Sequence, residues 1–347
     1  ESSPGLRVRI SPSATNYQLI MRSILNSLRI SSQSTTTLLN PLLLHEAMEL
    51  TFLGTSCMVP TKERNVSAIY LEHKGEGILI DCGEGTQRQM NIAGINRLKV
   101  KKILISHWHG DHMAGLIGLL QTIGNVEKED KHIVIFGPKG SKEKMQHLTQ
   151  ATYFYEKIDL EVVELDPKGV ETFYEGEDYF LQCAWLEHSV PCLGFSFVEK
   201  DRRKIDVHKA AALGLKPGPL IGKLQEGKTI DFNGKAIAPD HVSNLVNGKK
   251  ITVIWDTVFT NACLELAKDA DLLVCESSYT ADFKEKAEEY KHLTTQQAGF
   301  IATHANAKEL IITHFSQRYK TAEILEDEIK TFFKNSRCAY DFMRVKV

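Results

Sequence analysis

From Met48 onward the chain alternates short apolar runs with Gly or charged turns, the pattern of strands of about five to eight residues. MELTFLG at 48–54, SAIYLEH at 67–73 and GILIDCGEG at 77–85 predict a strand meander, and KKILIS at Lys101–Ser106 predicts another strand. The next segment, His107–His112 (HWHGDH), therefore lies in the loop at a strand's end. Apolar residues at helical spacing predict a helix over Met113–Ile123. Further strand-like runs cover His132–Phe136, Leu160–Leu165, Tyr179–Leu186, Gly194–Val198, Ile251–Trp255, Leu272–Cys275 and Leu310–Ile312. Helical pieces between and after them include Asn261–Asp269, Thr294–Asn306 and Thr321–Asn335. Strands and helices alternate only partly, so the expected fold is α+β, two mixed sheets face to face with helices outside. Between Glu199 and Asn247, Lys, Arg, Gly and Pro replace the long apolar runs, and the segment reads as an insertion.

Composition changes this picture at one end only. Glu1–Ala47 is rich in Ser, Thr and Leu, carries Arg7, Arg9, Arg22 and Arg29, and has no acid between Glu1 and Glu46. An organellar transit peptide has this composition, and so has a translated upstream or vector segment. We read it as an extension outside the fold, with Met48 as the native start and residues 48–347 as one domain. Without a functional transit peptide the expected location is the cytoplasm. A hydrophobic share of 42%, a charged share of 25% and a net charge of -2 are those of an ordinary soluble globular protein, so only local charge can point to a polyanionic partner. No apolar stretch approaches the roughly 20 residues of a membrane span. Seven scattered Cys without a CxxC pair fit a reducing compartment, and Cys82, Cys183 and Cys275 fall inside apolar runs as small buried hydrophobes.

The chemistry concentrates in His107, His109, Asp111 and His112, three imidazoles and a carboxylate within six positions. Such a donor set suits a divalent ion such as zinc. Alternation places His107 and His109 on one side of an extended segment, and Gly110 lets Asp111 and His112 turn to a second ion. Two ions can acidify a shared water and stabilise the oxygens of an in-line phosphoryl displacement.

These residues match in full the HxHxDH motif of the metallo-β-lactamase superfamily, which the chain resembles from Met48 to its end. The resemblance implies an αββα sandwich with two metals at one edge, held also by a His, a bridging Asp and a last His from later strand ends. His188, Asp256 and His314, each ending an apolar run in that order, are the candidates. His107, His109 and His188 are then assigned to one Zn2+ ion and Asp111, His112 and His314 to the other, with Asp256 bridging; Mn2+ or another divalent ion could serve. Asp111 could also take a proton from the attacking water.

The fold supports many chemistries, so the substrate must be read from other motifs. Here the chain resembles the ribonuclease Z family, the transfer RNA 3′-processing endonucleases, and its short form in particular. The resemblance rests on FLGTSCMVPTKERNVSAIYL at 52–71, DCGEGTQRQM at 81–90, SHWHGDHMAGLIGLLQT at 106–122, EHSVPCLGF at 187–195, KPGPLIGKLQEGKTI at 216–230 and ITHFSQRY at 312–319. It implies that the PxKxRN loop, here Pro60, Lys62, Arg64 and Asn65, lies by the RNA 3′ end. It implies that the segment at 199–247 is a flexible arm gripping the transfer RNA elbow, with Arg202, Arg203, Lys204, Lys209, Lys216, Pro217, Gly218, Pro219 and Lys223 as contacts. Phosphate contacts of this kind position an RNA by its shape.

The resemblance makes His292, in KHLTT, the general acid for the departing 3′ oxygen, with Glu276, in CESSY, in support. Leu293 stands where the family has Ser, and CESSY departs from the family's HEAT at its His, which leaves the roles of Glu276 and Ser277 less defined than those of the metal ligands. The expected activity is removal of the 3′ trailer from precursor transfer RNA by a homodimer. The alternatives are a small-substrate phosphodiesterase or arylsulfatase of the same fold, for which a distant basic arm has no use, and an RNA-binding protein that has lost its metals, against which the intact ligands speak.

Overall fold

The computed structural model describes residues 48–127, 131–153 and 157–347. The extension read at 1–47 lies outside them. Strands β1 (Glu49–Gly54), β2 (Ala68–His73), β3 (Glu76–Ile80), β4 (Val100–Leu104), β5 (His132–Pro138) and β6 (Asp159–Leu165) come first. β7 (Glu171–Glu175), β8 (Tyr179–Leu186) and β9 (Cys192–Glu199) follow. Four short strands then lie in the insertion: β10 (Arg202–Ile205), β11 (Ile230–Phe232), β12 (Lys235–Ile237) and β13 (Ser243–Val246). The chain ends with β14 (Lys250–Ile254), β15 (Leu272–Glu276), β16 (Leu310–Thr313), β17 (Ser336–Cys338) and β18 (Arg344–Lys346).

Two seven-stranded sheets result, in the orders β18-β1-β2-β3-β4-β5-β6 and β17-β16-β15-β14-β9-β8-β7. Each is antiparallel at one end and parallel at the other, with β3 to β6 parallel in the first and β14 to β17 parallel in the second. Period-two alternation builds the core between them. Leu50, Phe52, Ile69, Leu71, Ile78 and Ile80 from one sheet meet Leu193, Phe195, Phe197, Ile251, Val253 and Trp255 from the other. The intervening residues Leu53, Tyr70, Leu79, Ile103 and Ile135 pack outward against Leu116, Leu119, Leu120 and Ile123 of helix Leu116–Gly124. Helices Thr295–His304 and Glu323–Phe332 cover the second sheet through Ala298, Ile301, Leu325 and Ile329. The expected αββα sandwich is thus the observed one. All seven cysteines are buried and unpaired, in keeping with the reading of Cys82, Cys183 and Cys275 as small hydrophobes.

Two differences from the sequence reading bear on the site and the insertion. The helix expected over Met113–Ile123 is broken into Gly110–Met113 and Leu116–Gly124. The Gly115 N–H leaves the helical ladder to donate to the Cys82 carbonyl at 2.9 Å. A Cβ at Gly115 would stand 2.2 Å from the Gly83 carbonyl oxygen, so the close approach requires glycine.

The insertion, expected as a flexible segment poor in apolar runs, has a core of its own. Ala210, Leu215, Leu224, Ile230, Ile237 and Val242 are buried together among β10 paired with β13, the β11–β12 hairpin and helices Val207–Ala212 and Pro219–Gln225. Single apolar residues on short elements build this core, which is why no long run announces it. The two ends of the insertion are held side by side, with Glu199 N donating to Lys249 O at 2.8 Å and Gly248 N to the Asp201 carboxylate at 2.8 Å.

Candidate metal centre

All the residues in question lie where strands end at one edge of the sandwich. After β4, His107 and His109 lie in the loop and Asp111 and His112 in the helical turn Gly110–Met113; the loops after β8, β14 and β16 carry His188, Asp256 and His314. His107, His112 and His314 are fully buried, and Asp256 is 3% exposed. Two groups of donors form. In one, His107 Nε2 is 3.0 Å and His188 Nε2 3.3 Å from His109 Nδ1. In the other, Asp111 Oδ2, His112 Nε2 and His314 Nε2 are 3.3 to 3.6 Å apart.

Asp256 faces both groups. Its Oδ1 lies 3.5 and 3.4 Å from His112 and His314 Nε2, its Oδ2 3.8 and 3.9 Å from His107 and His188 Nε2. Bonds of about 2.0–2.1 Å in a tetrahedron put neighbouring ligand atoms about 3.3–3.4 Å apart, so the second group has the spacing of a zinc site. Asp256 Oδ1 is buried without a hydrogen-bond donor among the described residues. A buried carboxylate oxygen facing two imidazole nitrogens is costly unless a cation lies between them, so this donor set fits divalent ions.

Outer partners aim the rings. Asp81, at the end of β3, accepts from His112 Nδ1 at 2.6 Å and from Ser106 N and Oγ at 2.7 Å, while Ser106 Oγ lies 3.0 Å from His107 Nδ1. His188 Nδ1 faces the Lys291 carbonyl at 3.0 Å and His314 Nδ1 faces Ser278 Oγ at 3.1 Å. With Nδ1 donating outward, each of these rings offers the lone pair on Nε2 to the centre. Asp81 and His314 both adopt positive φ, 58° and 64°, strain that non-glycine residues keep only where the surroundings enforce it.

The charges of the cluster are uneven. Burial holds the His107 imidazolium well below its ordinary range, aided by His112, so His107 is neutral at neutral pH and could offer a lone pair to a cation. Burial lowers His112 too, but Asp256, Asp81 and Asp111 outweigh it and raise His112 well above that range.

His292, only 8% exposed, has Nδ1 3.1 Å from Glu276 Oε1. Burial acts against its charge, but Glu276 and Asp256 outweigh burial and raise it to about 12. Glu276 is fully buried at the end of β15 and accepts from the backbone of Thr257, Leu293 and Ser278 and from Ser278 Oγ. Ser277 Oγ is buried without a partner among the described residues. On the Nε2 side of His292, Cys57 Sγ lies at 4.0 Å. Its neighbour Met58 donates its N–H to Asp111 Oδ2 at 2.8 Å.

Of the PxKxRN residues, Lys62 is exposed, but Arg64 and Asn65 are engaged within the fold. Arg64 Nη2 donates to the carbonyls of Tyr319 (2.7 Å) and Ser316 (3.4 Å), and Asn65 Nδ2 to the Glu84 carbonyl (2.8 Å). In the insertion Lys204, Lys209, Lys216, Pro217, Gly218, Pro219 and Lys223 are exposed, and Arg202 is half-buried. Arg203 is bound to Asp240 at 2.5 Å and braces the insertion itself.

The sequence reading did not single out Asp81, Ser106, Ser278 or Cys57. Asp81 alone carried a signal, an acid directly ending the apolar run GILI.

Gly83 shows how closely the centre is tied to the fold, because a Cβ there would stand 2.2 Å from the Asp111 carbonyl oxygen. Gly83→Ala is expected to lower stability by about 1–3 kcal/mol and to reduce divalent-ion content by displacing Asp111. Thermal unfolding and metal analysis would check both; a variant equal to the parent in each would show that the loop yields freely.

The metallo-β-lactamase superfamily model matches residues 61–184. A ribonuclease Z of Methanothermobacter thermautotrophicus is 40% identical over 301 residues, 86% of this chain and 97% of its own length. A ribonuclease Z of Bacillus cereus is 38% identical over 302 residues, 85% of this chain and 97% of its own. Among solved structures, the short form of human tRNase Z superposes with a TM-score of 0.64 at 28% identity, covering 86% of this chain and 99% of that one.

Proposed function

The chain belongs to the ribonuclease Z family of the metallo-β-lactamase superfamily and is a zinc-dependent endoribonuclease of that type, from which we propose that it removes the 3′ trailer of precursor transfer RNA. The cut falls after the discriminator base and leaves a 3′ hydroxyl on the transfer RNA and a 5′ phosphate on the trailer. The observation that carries this reading is the shared carboxylate: Asp256 turns one oxygen toward His112 and His314 and the other toward His107 and His188.

His107, His109, His188 and Asp256 Oδ2 would hold one ion, and Asp111, His112, His314 and Asp256 Oδ1 the other. When bound, two such cations supply Lewis acidity toward the phosphodiester and acidify water at neutral pH. The Asp111 carboxylate, oriented by the Met58 N–H, takes the proton of the attacking water. His292 gives its proton to the departing 3′ oxygen. Glu276 serves that role twice, fixing the ring through Nδ1 and keeping the imidazolium charged at neutral pH. Lys62 engages phosphate by the RNA 3′ end, the exposed lysines of the insertion engage phosphates away from the reacting bond, and the working form is a homodimer.

Incubation with a 3′-extended transfer RNA precursor, with and without chelator, should give one cut with the ends named above and none once metal is removed. The insertion is best tested whole. Deleting only 202–223 would leave Leu224, Ile230, Ile237 and Val242 without their packing partners. Replacing 201–247 by a short Gly-Ser linker instead uses the juxtaposed ends at Glu199 and Lys249. Precursor cleavage should then fall by at least tenfold in kcat/KM, with a far smaller effect on bis(p-nitrophenyl) phosphate; equal effects on both would argue for a small-molecule substrate.

A further inference from the structure

One cation beside the centre has no place in the reaction described so far. The Arg318 guanidinium carbon lies 4.1 Å from the Phe283 ring centroid and 5.3 Å from that of Tyr279. Arg318 is exposed, and among the described residues no carboxylate or carbonyl is bonded to its side chain. Phe283 is 37% exposed. The Tyr279 ring is 6.3 Å from the His292 ring, so this group of side chains begins where the proton donor ends.

The group is held by a rigid frame. Thr280 N donates to the Tyr319 hydroxyl at 2.9 Å, and Ser316 N to the Ser278 carbonyl at 3.3 Å. Thr295 N donates to the Tyr279 carbonyl at 2.9 Å. Arg64 clamps the carbonyls of Ser316 and Tyr319 on either side of Arg318. A cation kept by so many bonds, yet bonded through its side chain to nothing but ring faces, is arranged for a partner that is flat and anionic. An unpaired nucleotide is such a partner, its base stacking on guanidinium and aromatic faces while its phosphate meets the N–H edge.

We propose that Arg318, with Phe283 and Tyr279, is the platform on which the base of the last retained nucleotide stacks, on the 5′ side of the scissile phosphate. The assignment to that side rests on the proposed role of His292, since the nucleotide that keeps the 3′ oxygen must lie against its proton donor. Stacking also suits a position where the four bases must be accepted alike, because each has a π face.

The test uses the full-length protein and a precursor carrying 2-aminopurine at the last retained nucleotide or at the first trailer nucleotide. Wild type should quench the first probe on binding and leave the second largely unquenched. R318A should abolish that quenching and raise KM for the precursor about tenfold, with kcat within about threefold. R318K, which keeps charge but loses the planar face, should resemble R318A. Zinc content and thermal midpoint equal to wild type would show that both variants are folded. Quenching at the trailer probe only, an R318K equal to wild type, or an R318A unchanged in KM and quenching would each overturn the platform. A wild type that leaves the precursor uncut overturns the functional reading instead, and the fluorescence, which reads binding, still decides the platform.

Discussion

Replacing Asp256 by Asn is expected to lower kcat/KM for precursor cleavage by on the order of 10³ to 10⁴, the equivalent of the several kcal/mol that two positioned cations contribute to phosphoryl transfer. The substitution keeps volume and shape at a site with almost no exposure, so the fold should tolerate it. It does not keep the function of the second oxygen. Asp256 lies 3.4 and 3.5 Å from two imidazoles through Oδ1 and 3.8 and 3.9 Å from two others through Oδ2. An amide offers one acceptor and turns N–H donors toward the opposite group. It also removes the negative charge that Asp256, pulled well below the carboxylate range by His314 and His112 against the effect of burial, carries at neutral pH. Bound metal should fall from two ions per chain to one or fewer, as counted by inductively coupled plasma mass spectrometry. Two ions retained, with activity within tenfold of wild type, would remove Asp256 from the bridging position.

The second large effect separates chemistry from binding. His292→Ala should reduce kcat for the RNA by about 10²–10⁴, the usual contribution of a positioned general acid. For bis(p-nitrophenyl) phosphate the loss should be less than about tenfold, because nitrophenolate departs without a proton and a ribose oxygen does not. The substitution leaves Glu276 well provided, since the N–H groups of Thr257, Leu293 and Ser278 still bind its carboxylate. A loss of similar size on both substrates would make His292 a structural partner of the metal loops.

What could be read in advance followed from what is local in the chain. His107, His109, Asp111 and His112 declare themselves because four donors within six positions need no knowledge of the fold, and the period-two runs place both faces of β1, β2, β3, β9 and β14. His188, Asp256 and His314 are candidates only through the resemblance to the superfamily, which asks for a His, an Asp and a His at later strand ends, and each ends an apolar run in that order. Asp81 escaped notice because its value lies in reaching His112, 31 positions away, across two strand ends. The resemblance places Arg64 by the RNA 3′ end, and in the fold its guanidinium is bonded to carbonyls more than 250 positions later. A charge pattern shows that a cation is present, not what the folded chain brings to it. The core of the insertion escaped for a third reason, since six residues on very short elements have no periodicity to detect.

The donors at the centre come from both sheets, with His107 to His112 following β4 of the first and His188, Asp256 and His314 following strands of the second. They span more than 200 positions of the chain, so an unfolded molecule has no comparable site. A cation bound there belongs to the native state alone, and each tenfold rise of its free concentration above the dissociation constant adds about 1.4 kcal/mol per site to the cost of unfolding. Protease resistance and cellular lifetime should then follow the supply of zinc. In a cell short of the ion, this chain would be cleared sooner as well as idle, and its abundance would register the shortage.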